Sequence, residues 1–482
     1  MSAAASSSHV AVRRLFLRLL AVVYLFAFAS LLAQIDGLVG AHGIAPAAEW
    51  LEMLRGRLGD ARWRVLPTLC WISASDGFLR FLCIAGIALS VVVLGEVAVA
   101  PALALLWLIY LSLTVVGQEF FSFQWDVLLL EAGFLSIFLV PLSLRRSARF
   151  APTPRITLWL LRWLLFRLMF SSGVVKLLSG DLAWRDLTAL QFHYETQPLP
   201  NPLAWYAHQL PAWVHTVAAV QMFALELVAP FLIFFHRWPR VRLAGVAAMV
   251  SLQLAIAATG NYGFFNLLSI ALCLLALDDR VLPPRLQRPI VAARGWPWPV
   301  LAVLAAGIGL LSSVQMMVTL RLGQHVPRPA VFAYTWAAPL QIVNGYGLFA
   351  VMTTNRLEVV VEGSDDGVEW RAYEFRFKPG DLRRAPPFVA PHMPRLDWQM
   401  WFAALSGWDD APWFAAFEAR LLEARPEVLK LLAHDPFQGR PPKYVRARLF
   451  IYRFTRGAIG SGGPWWERHD AGPFGPTLSR RD

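Results

Sequence analysis

About nine stretches of this chain are apolar over close to the 20 residues an α-helix needs to cross a bilayer. They cover residues 15–33, 78–94, 98–116, 127–144, 156–178, 213–235, 243–259, 262–277 and 300–320. The break between the second and third is only Gly95 to Val97, and the stretch 262–277 is short. From Val326 onward the pattern changes. Residues 348–353, 357–362 and 370–377 are rich in β-branched or aromatic residues, with Asp366-Gly367 as a turn signal between the last two. Residues 398–405, 413–423 and 427–433 carry a helical pattern, and 444–454 alternates as a long final strand. The stretch 457–482 is rich in Gly, Pro and charge and is expected to be disordered.

The pattern predicts a polytopic α-helical membrane protein of about nine spans. Its membrane domain covers 1–325 and includes an outer loop at 180–212; a C-terminal soluble domain covers 326–456. Strands, then helices, then a strand suggest an α+β or β-sandwich-like fold for that domain.

Composition fits this picture: 57% of the 482 residues are hydrophobic and only 16% charged, against roughly 25% charged in soluble domains. The formal charge of +12 is not a nucleic-acid footprint, because the arginines gather at every second connection. Arg13, Arg14 and Arg18 precede the first span. Arg145, Arg146, Arg149 and Arg155 follow the fourth, Arg237, Arg240 and Arg242 the sixth, and Arg280, Arg285, Arg288 and Arg294 the eighth. Basic residues concentrate on the cytoplasmic side, so the N-terminus is expected inside and the C-terminal domain outside. Arg55, Arg57, Arg62 and Arg64 break the alternation, on an amphipathic segment suited to the membrane surface. The first apolar stretch is read as an anchor; as a cleaved signal peptide it would leave the remaining topology unchanged.

Charge at membrane depth costs about 2.5–3.5 kcal/mol on insertion scales, so such residues pair or serve function. Glu131, Arg162, Arg167, Lys176 and Glu226 are of this kind. Lys176 is the one lysine within the apolar stretches; the other lysines are Lys378, Lys430 and Lys443. The outer loop gathers Trp184, Arg185, Asp186, His193, Tyr194, Glu195 and Gln197, followed by Pro198, Pro200, Asn201 and Pro202. Alternating prolines stiffen it into an extended segment, either a recognition edge or a packed connector. His193, Glu195, His208 and His215 lack the helical spacing of a zinc motif, and neither a Gly-rich phosphate loop nor a Gly-x-Ser-x-Gly elbow occurs. No metal, cofactor or lipase-type catalytic site is expected. Trp398, Trp401, Phe402, Trp408, Trp413 and Phe414 form an apolar cluster that reads as a core or membrane dock, or as a grip for apolar clients.

Several of these words occur together. Trp184-Arg-Asp-Leu-Thr188, His193-Tyr-Glu-Thr-Gln-Pro-Leu-Pro-Asn-Pro202 and Trp205-Tyr206 resemble the lipase maturation factor family. So do Gln124-Trp-Asp126 with Leu128 to Glu131, Glu226-Leu-Val-Ala-Pro-Phe231, and Gly260-Asn-Tyr-Gly263 with Asn266. Gly363-Ser-Asp-Asp-Gly367 and Arg395-Leu-Asp-Trp-Gln-Met-Trp-Phe402 extend the likeness from Phe120 to Phe454 and bring in Asp397 and Trp398 as site residues. The resemblance implies a membrane factor supporting folding and assembly of exported proteins such as secreted lipases. In eukaryotic members the large domain faces the lumen of the endoplasmic reticulum. The preference for arginine over lysine suits a GC-rich bacterial genome, which puts the corresponding face in the periplasm. Partners are then membrane lipids and exported clients. A second reading, an intramembrane enzyme with Lys176 as base, comes from Phe170-Ser-Ser-Gly-Val-Val-Lys-Leu-Leu178, which over that short stretch is similar to vitamin K-dependent carboxylase-like proteins.

The charge pattern makes a direct topological prediction. Alkaline phosphatase fused after Phe454 is expected to be active outside the cytoplasm; an inactive fusion, with a cytoplasmic reporter active at that point, overturns the orientation.

Overall fold

A computed structural model describes residues 9–121, 123–144, 150–283, 285, 287, 294–456 and 463–480. Arg145, Arg146, Arg149 and Arg288, used above for orientation, lie outside the described residues. Among the described residues, seven helices are long and apolar enough to cross a bilayer. They are α1 (Val10–Leu32), α2 (Asp76–Leu94), α3 (Val99–Val116), α5 (Arg155–Leu178), α6 (Ala212–Leu227, prolonged by a short helix to Leu232), α7 (Pro239–Thr259) and α9 (Trp298–Thr319).

The remaining two expected spans are short helices, α4 (Gln124–Ile137) and α8 (Phe265–Leu274). At 1.5 Å per residue they measure about 21 and 15 Å, against a hydrocarbon core of about 30 Å. Apolarity overestimates them because the apolar residues beyond each C-terminus form turns instead. Leu139 donates to Ser136 O, and Leu275, Ala276 and Leu277 each donate three residues back. Both still run between the same two faces. At one end, Asp126 of α4 meets Arg395 of the tail, and Asn261 before α8 meets Pro387 O. At the other, Leu139 O accepts from Arg13, and Asp279 Oδ1 accepts from the Val12 amide in α1.

Helices α1, α2 and α3 pack tightly where Tyr24, Phe28 and Tyr110 meet with ring centroids 5.4–6.1 Å apart. Gly86 permits this on α2, since a Cβ there would fall 2.5 Å from the Phe28 ring.

In the tail, β1 (Arg356–Ser364), β2 (Arg371–Ala372), β5 (Tyr444–Phe454) and β6 (Trp466–Pro473) form one antiparallel sheet in the order β2-β1-β5-β6, and β7 (Leu478–Ser479) also pairs with β5. A separate pair joins β3 (Glu374–Phe375) and β4 (Leu432–His434). Helices α10 (Arg395–Ser406) and α11 (Pro412–Leu422) pack on the main sheet. The expected strand 444–454 is found with the same limits, whereas 370–377 divides between two sheets. Three expectations fail. The stretch 427–433 is not one helix: the helical turn Pro426–Leu429 ends before β4, where Leu432 pairs with Phe375 instead. The stretch 348–353 is not a strand, because the Phe349 carbonyl and the Met352 amide are bonded to Trp184 and Asp181 instead. The tail from Trp466 is not disordered: it pairs with β5 from Phe454↔Trp466 to Arg448↔Pro473, supplying bonds that its composition does not advertise.

Tail and bundle lock where two helix N-termini meet. Arg395 opens α10, and its guanidinium donates to Asp126 Oδ1 at 2.7 Å, Asp126 Oδ2 at 2.8 Å and Phe120 O at 2.7 Å. It also stacks on Phe121 at 3.6 Å. Asp126 lies in the first turn of α4, where the helix dipole favours a carboxylate. Gln34, beyond α1, accepts from the Arg395 amide at 2.9 Å and donates to Met393 O at 2.9 Å.

Removing one partner of a buried pair costs about 3–5 kcal/mol, far more than replacing both by apolar groups. Arg395→Met alone is therefore expected to lower the unfolding temperature sharply, and Arg395→Met with Asp126→Leu to recover most of the loss. Equal loss in the single and double variants overturns the assignment.

Candidate functional site

The outer loop is built from local signals. Asp181 caps the turn Leu182–Arg185 by accepting from the Ala183 amide at 3.0 Å, and its other oxygen accepts from Met352 N at 2.5 Å. The helix Ala189–Thr196 stops at Gln197 because Pro198 disfavours helical geometry in the residue before it. Asn201 caps the next helix, Pro202–His208, with proline at its first position, where a missing N–H costs nothing.

Between these helices, residues 195–201 lie buried, and their carbonyls need donors. Arg356, in β1, donates to Glu195 O at 2.7 Å, Gln197 O at 2.5 Å and Pro198 O at 2.9 Å. Glu358 neutralises it at 2.5 Å and also pairs with Lys378 at 2.9 Å. Asn261 donates to Leu199 O, Pro200 O and Pro387 O and accepts from the Val389 amide at 2.8 Å. Gly260 lets the strap lie close: a Cβ there would meet Gln197 Oε1 at 2.2 Å. Trp401 Nε1 donates to Thr196 O at 2.8 Å, Phe454 N donates to Glu195 at 3.0 Å, and Trp184 Nε1 donates to Phe349 O at 2.9 Å. Loop and tail thus form one continuous face.

Under this face lies a cavity of about 320 Å³ between α5, α6 and α7, roofed by Trp184, His193, Tyr194, Tyr262 and Phe349. On its wall Lys176 bridges both Glu226 oxygens, at 2.9 and 2.8 Å, and donates to Ser172 O at 3.0 Å. All three ammonium hydrogens are thereby used. The ammonium also lies 5.5 Å from the Trp184 ring centre. Deeper, Asn266 donates to Gln253 at 2.8 Å. Burial pushes His193 down to about 4, with the Lys176 charge acting in the same direction, so the imidazole is neutral near pH 7. Burial also lowers His208 to about 4.

The expected site residues divide by position. Lys176, Glu226, Trp184, His193 and Tyr194 meet at the cavity. Glu195, Gln197, Pro198, Pro200 and Asn201 form the buried strap, while Arg185 and Asp186 are exposed. Glu131 and Arg167 pair elsewhere, with Tyr346 and the Asn344 amide completing the carboxylate's partners. Arg162 donates to Leu275 O at the opposite face. Asp397 accepts from the Phe377 and Lys378 amides inside the tail. Trp398 packs 4.7 Å from Trp125 and 5.9 Å from Tyr262, whose hydroxyl donates to Gln197. The direct loop contact comes from Trp401, about one turn later, rather than from Asp397 or Trp398. Trp398, Trp401, Trp413 and Phe414 are buried, so most of the aromatic cluster is core and dock. Among the described residues, no three His, Cys, Asp or Glu side chains gather as a metal site would require.

Sequence reasoning missed Arg356 and did not single out Asn261 or Trp401 for the loop contact. A faint signal existed for Arg356: with Glu358 it places opposite charges on one face of an otherwise apolar strand.

Two family models match the chain, the lipase maturation factor transmembrane domain over residues 11–284 and the lipase maturation factor C-terminal domain over 342–476. The chain is 38% identical to lipase maturation factor 2 of Homo sapiens, over 98% of this chain and 83% of that protein. It is 37% identical to lipase maturation factor 2 of Gallus gallus, over 98% and 82%. With lipase maturation factor 1 of Bos taurus it shares 36% identity, over 98% and 89%. No solved structure matches.

The buried histidine predicts an acid sensitivity. A folded value near 4 against an ordinary 6.5 means that the unfolded chain takes up the proton first. The stability contributed by keeping His193 neutral is complete above about pH 6.5 and is lost as pH falls towards about 4. The buried carboxyl of Glu195, pushed up by burial, acts in the opposite sense, so a comparison between two proteins isolates the histidine. The unfolding temperature should fall less on acidification in His193→Gln than in the parent. Identical slopes contradict the assignment.

Proposed function

Because this chain belongs to the lipase maturation factor family, we propose that it is a membrane-bound factor that supports folding and assembly of exported proteins, with lipases among its clients. Family membership carries this reading, at 38% identity over 98% of the chain. Both family domains are matched, over 11–284 and 342–476. The strap supports it further: a loop from the bundle and a strand from the tail are held together by Arg356, as a rigid recognition face would need. On the rim of that face, Phe388 and Phe402 are exposed and offer apolar contact to a partly folded chain.

Topology favours an outward tail. An odd number of crossings would put the two ends on opposite sides; seven long helices among the described residues support this reading, and counting α4 and α8 as further crossings adds an even number. With the arginine clusters inside, the tail faces away from the cytoplasm. The arginine-rich usage favours a bacterial inner membrane with the tail in the periplasm. Membrane lipids and exported proteins are then the partners.

Nothing supports the carboxylase-like alternative. Lys176 has its three hydrogens taken by Glu226 and Ser172, the arrangement of a buried ion pair.

Comparative proteomics of exported proteins in a deletion strain tests the proposal. A few secreted hydrolases, including lipase activity, should fall and return with the intact gene. Unchanged exported proteins overturn it.

A further inference from the structure

We propose that the cavity beneath the loop binds an uncharged acyl lipid of the monoacylglycerol class, admitted sideways from the bilayer between α6 and α7. Its position supplies the first argument. Lining residues Gln221 on α6 and Ser251 and Ala255 on α7 are exposed, so the cavity opens at that seam. Val217, Val220 and Leu254, on the same helices, are exposed apolar residues of the kind a bilayer covers. What reaches this mouth is therefore what the membrane supplies.

Shape supplies the second. Along α5 the lining runs from Leu168 to Lys176, about 12 Å of helix at 1.5 Å per residue, in the direction in which acyl chains lie. A volume of about 320 Å³ is at the lower end of the range for small-molecule sites. It has room for part of one chain and a small head group, not for a two-chain phospholipid.

Charge supplies the third. The ammonium of Lys176 is consumed by Glu226, and the pair contributes no net charge. His193 is neutral and holds the Tyr262 hydroxyl at 3.3 Å. A carboxylate or phosphate would find no free cation here and would pay for its own desolvation. Neutral hydroxyls and an ester find suitable partners at the roofed end. The Tyr194 hydroxyl makes no hydrogen bond to another described residue, and the carboxylate of Glu226 retains acceptor capacity. The deep end is lined by Leu168, Met169, Leu252 and Phe265, and its two amides are partly engaged inside the protein: Asn266 donates to Gln253 Oε1 at 2.8 Å, and Gln253 Nε2 donates to Met169 Sδ at 3.5 Å. Head group outward and chain inward follows from this gradient.

The inference rests on the cavity and not on the maturation role; an unchanged set of exported proteins would leave it standing. The test uses the full chain in nanodiscs with a monoacylglycerol carrying a diazirine and an alkyne, and the corresponding fatty-acid probe at a pH where it is ionised. The monoacylglycerol should label peptides of α6 and α7 that line the cavity, saturably and in preference to the fatty acid. Ala255→Trp and Ser251→Trp place bulk at exposed lining positions, so the bundle need not repack around them. With unfolding temperatures like the parent's, each should reduce labelling about tenfold, or 1.4 kcal/mol in binding. Labelling that does not saturate, ignores both tryptophans, or favours the fatty acid overturns the proposal.

Discussion

A guanidinium shut away from water must meet its counter-charge inside the protein, and Arg395 meets Asp126. Asp126 belongs to the bundle and Arg395 to the tail, 269 residues apart. Because the guanidinium also holds Phe120 O and stacks on Phe121, its direction is fixed as well as its distance. The direction of α10 follows, and with it Trp398 against Trp125 and Trp401 against Thr196. The same rule recurs down the bundle. Arg167 with Glu131, Lys176 with Glu226, and Arg242 with Asp278 each join different segments, so neutralising charge and fixing helix order are one event.

The strap at residues 195–201 depends on that lock. Pro198 and Pro200 lack amide hydrogens, so the segment cannot bond as a full strand; a single bridge, Pro200 to Gly260, is what remains. Its buried carbonyls still require donors. Arg356 supplies three bonds from the tail, and Asn261 supplies two from the bundle. Neither donor would be in place if α10 sat elsewhere, because Asn261 also binds the backbone at Pro387 and Val389, a few residues before Arg395.

How much of this is legible in the sequence depends on where each residue's partners lie. The long helices announce themselves because lipid exposure imposes apolarity on every turn. Tyr444–Phe454 announces itself because a long alternating strand needs no distant information. The pairing of Lys176 with Glu226 is readable as one of two options, since charge at depth must be resolved somewhere nearby. Arg356 is only faintly readable: its pair with Glu358 marks the strand, but its ligands are carbonyls about 160 residues upstream, and a carbonyl leaves no mark on side-chain pattern. The strand Trp466–Pro473 is hidden for the opposite reason, for its residues are mostly exposed and its order comes from the edge of β5. The ends of α4 and α8 misled because an apolar residue in a buried turn looks the same as one in a helix.

Packing is unequal across the bundle, and the helices around the cavity include both its most and its least buried members. In α5, 72% of the most apolar window is buried inside the protein, against 28% in the stretch Ala212–Leu232 and 33% in α7. The latter two helices therefore owe much of their contact to lipid, and the cavity is bounded by one firm wall and two compliant ones. Segments with fewer internal contacts open at lower free energy than the core. Separation of α6 from α7 would widen the seam at Gln221 and Ser251 without touching Arg395, Asp126 or the aromatic packing of α1 to α3. The ion pair of Lys176 and Glu226 ties α6 back to α5 near the roofed end, so the opening is restrained there and free towards the membrane. A bundle built this way keeps its outward face rigid while one side remains accessible from the bilayer; the Lys176–Glu226 pair holds α6 at the roofed end, and Gln197 and Asn201 of the strap hold the last turn of α7 through Thr259 O and Ala258 O.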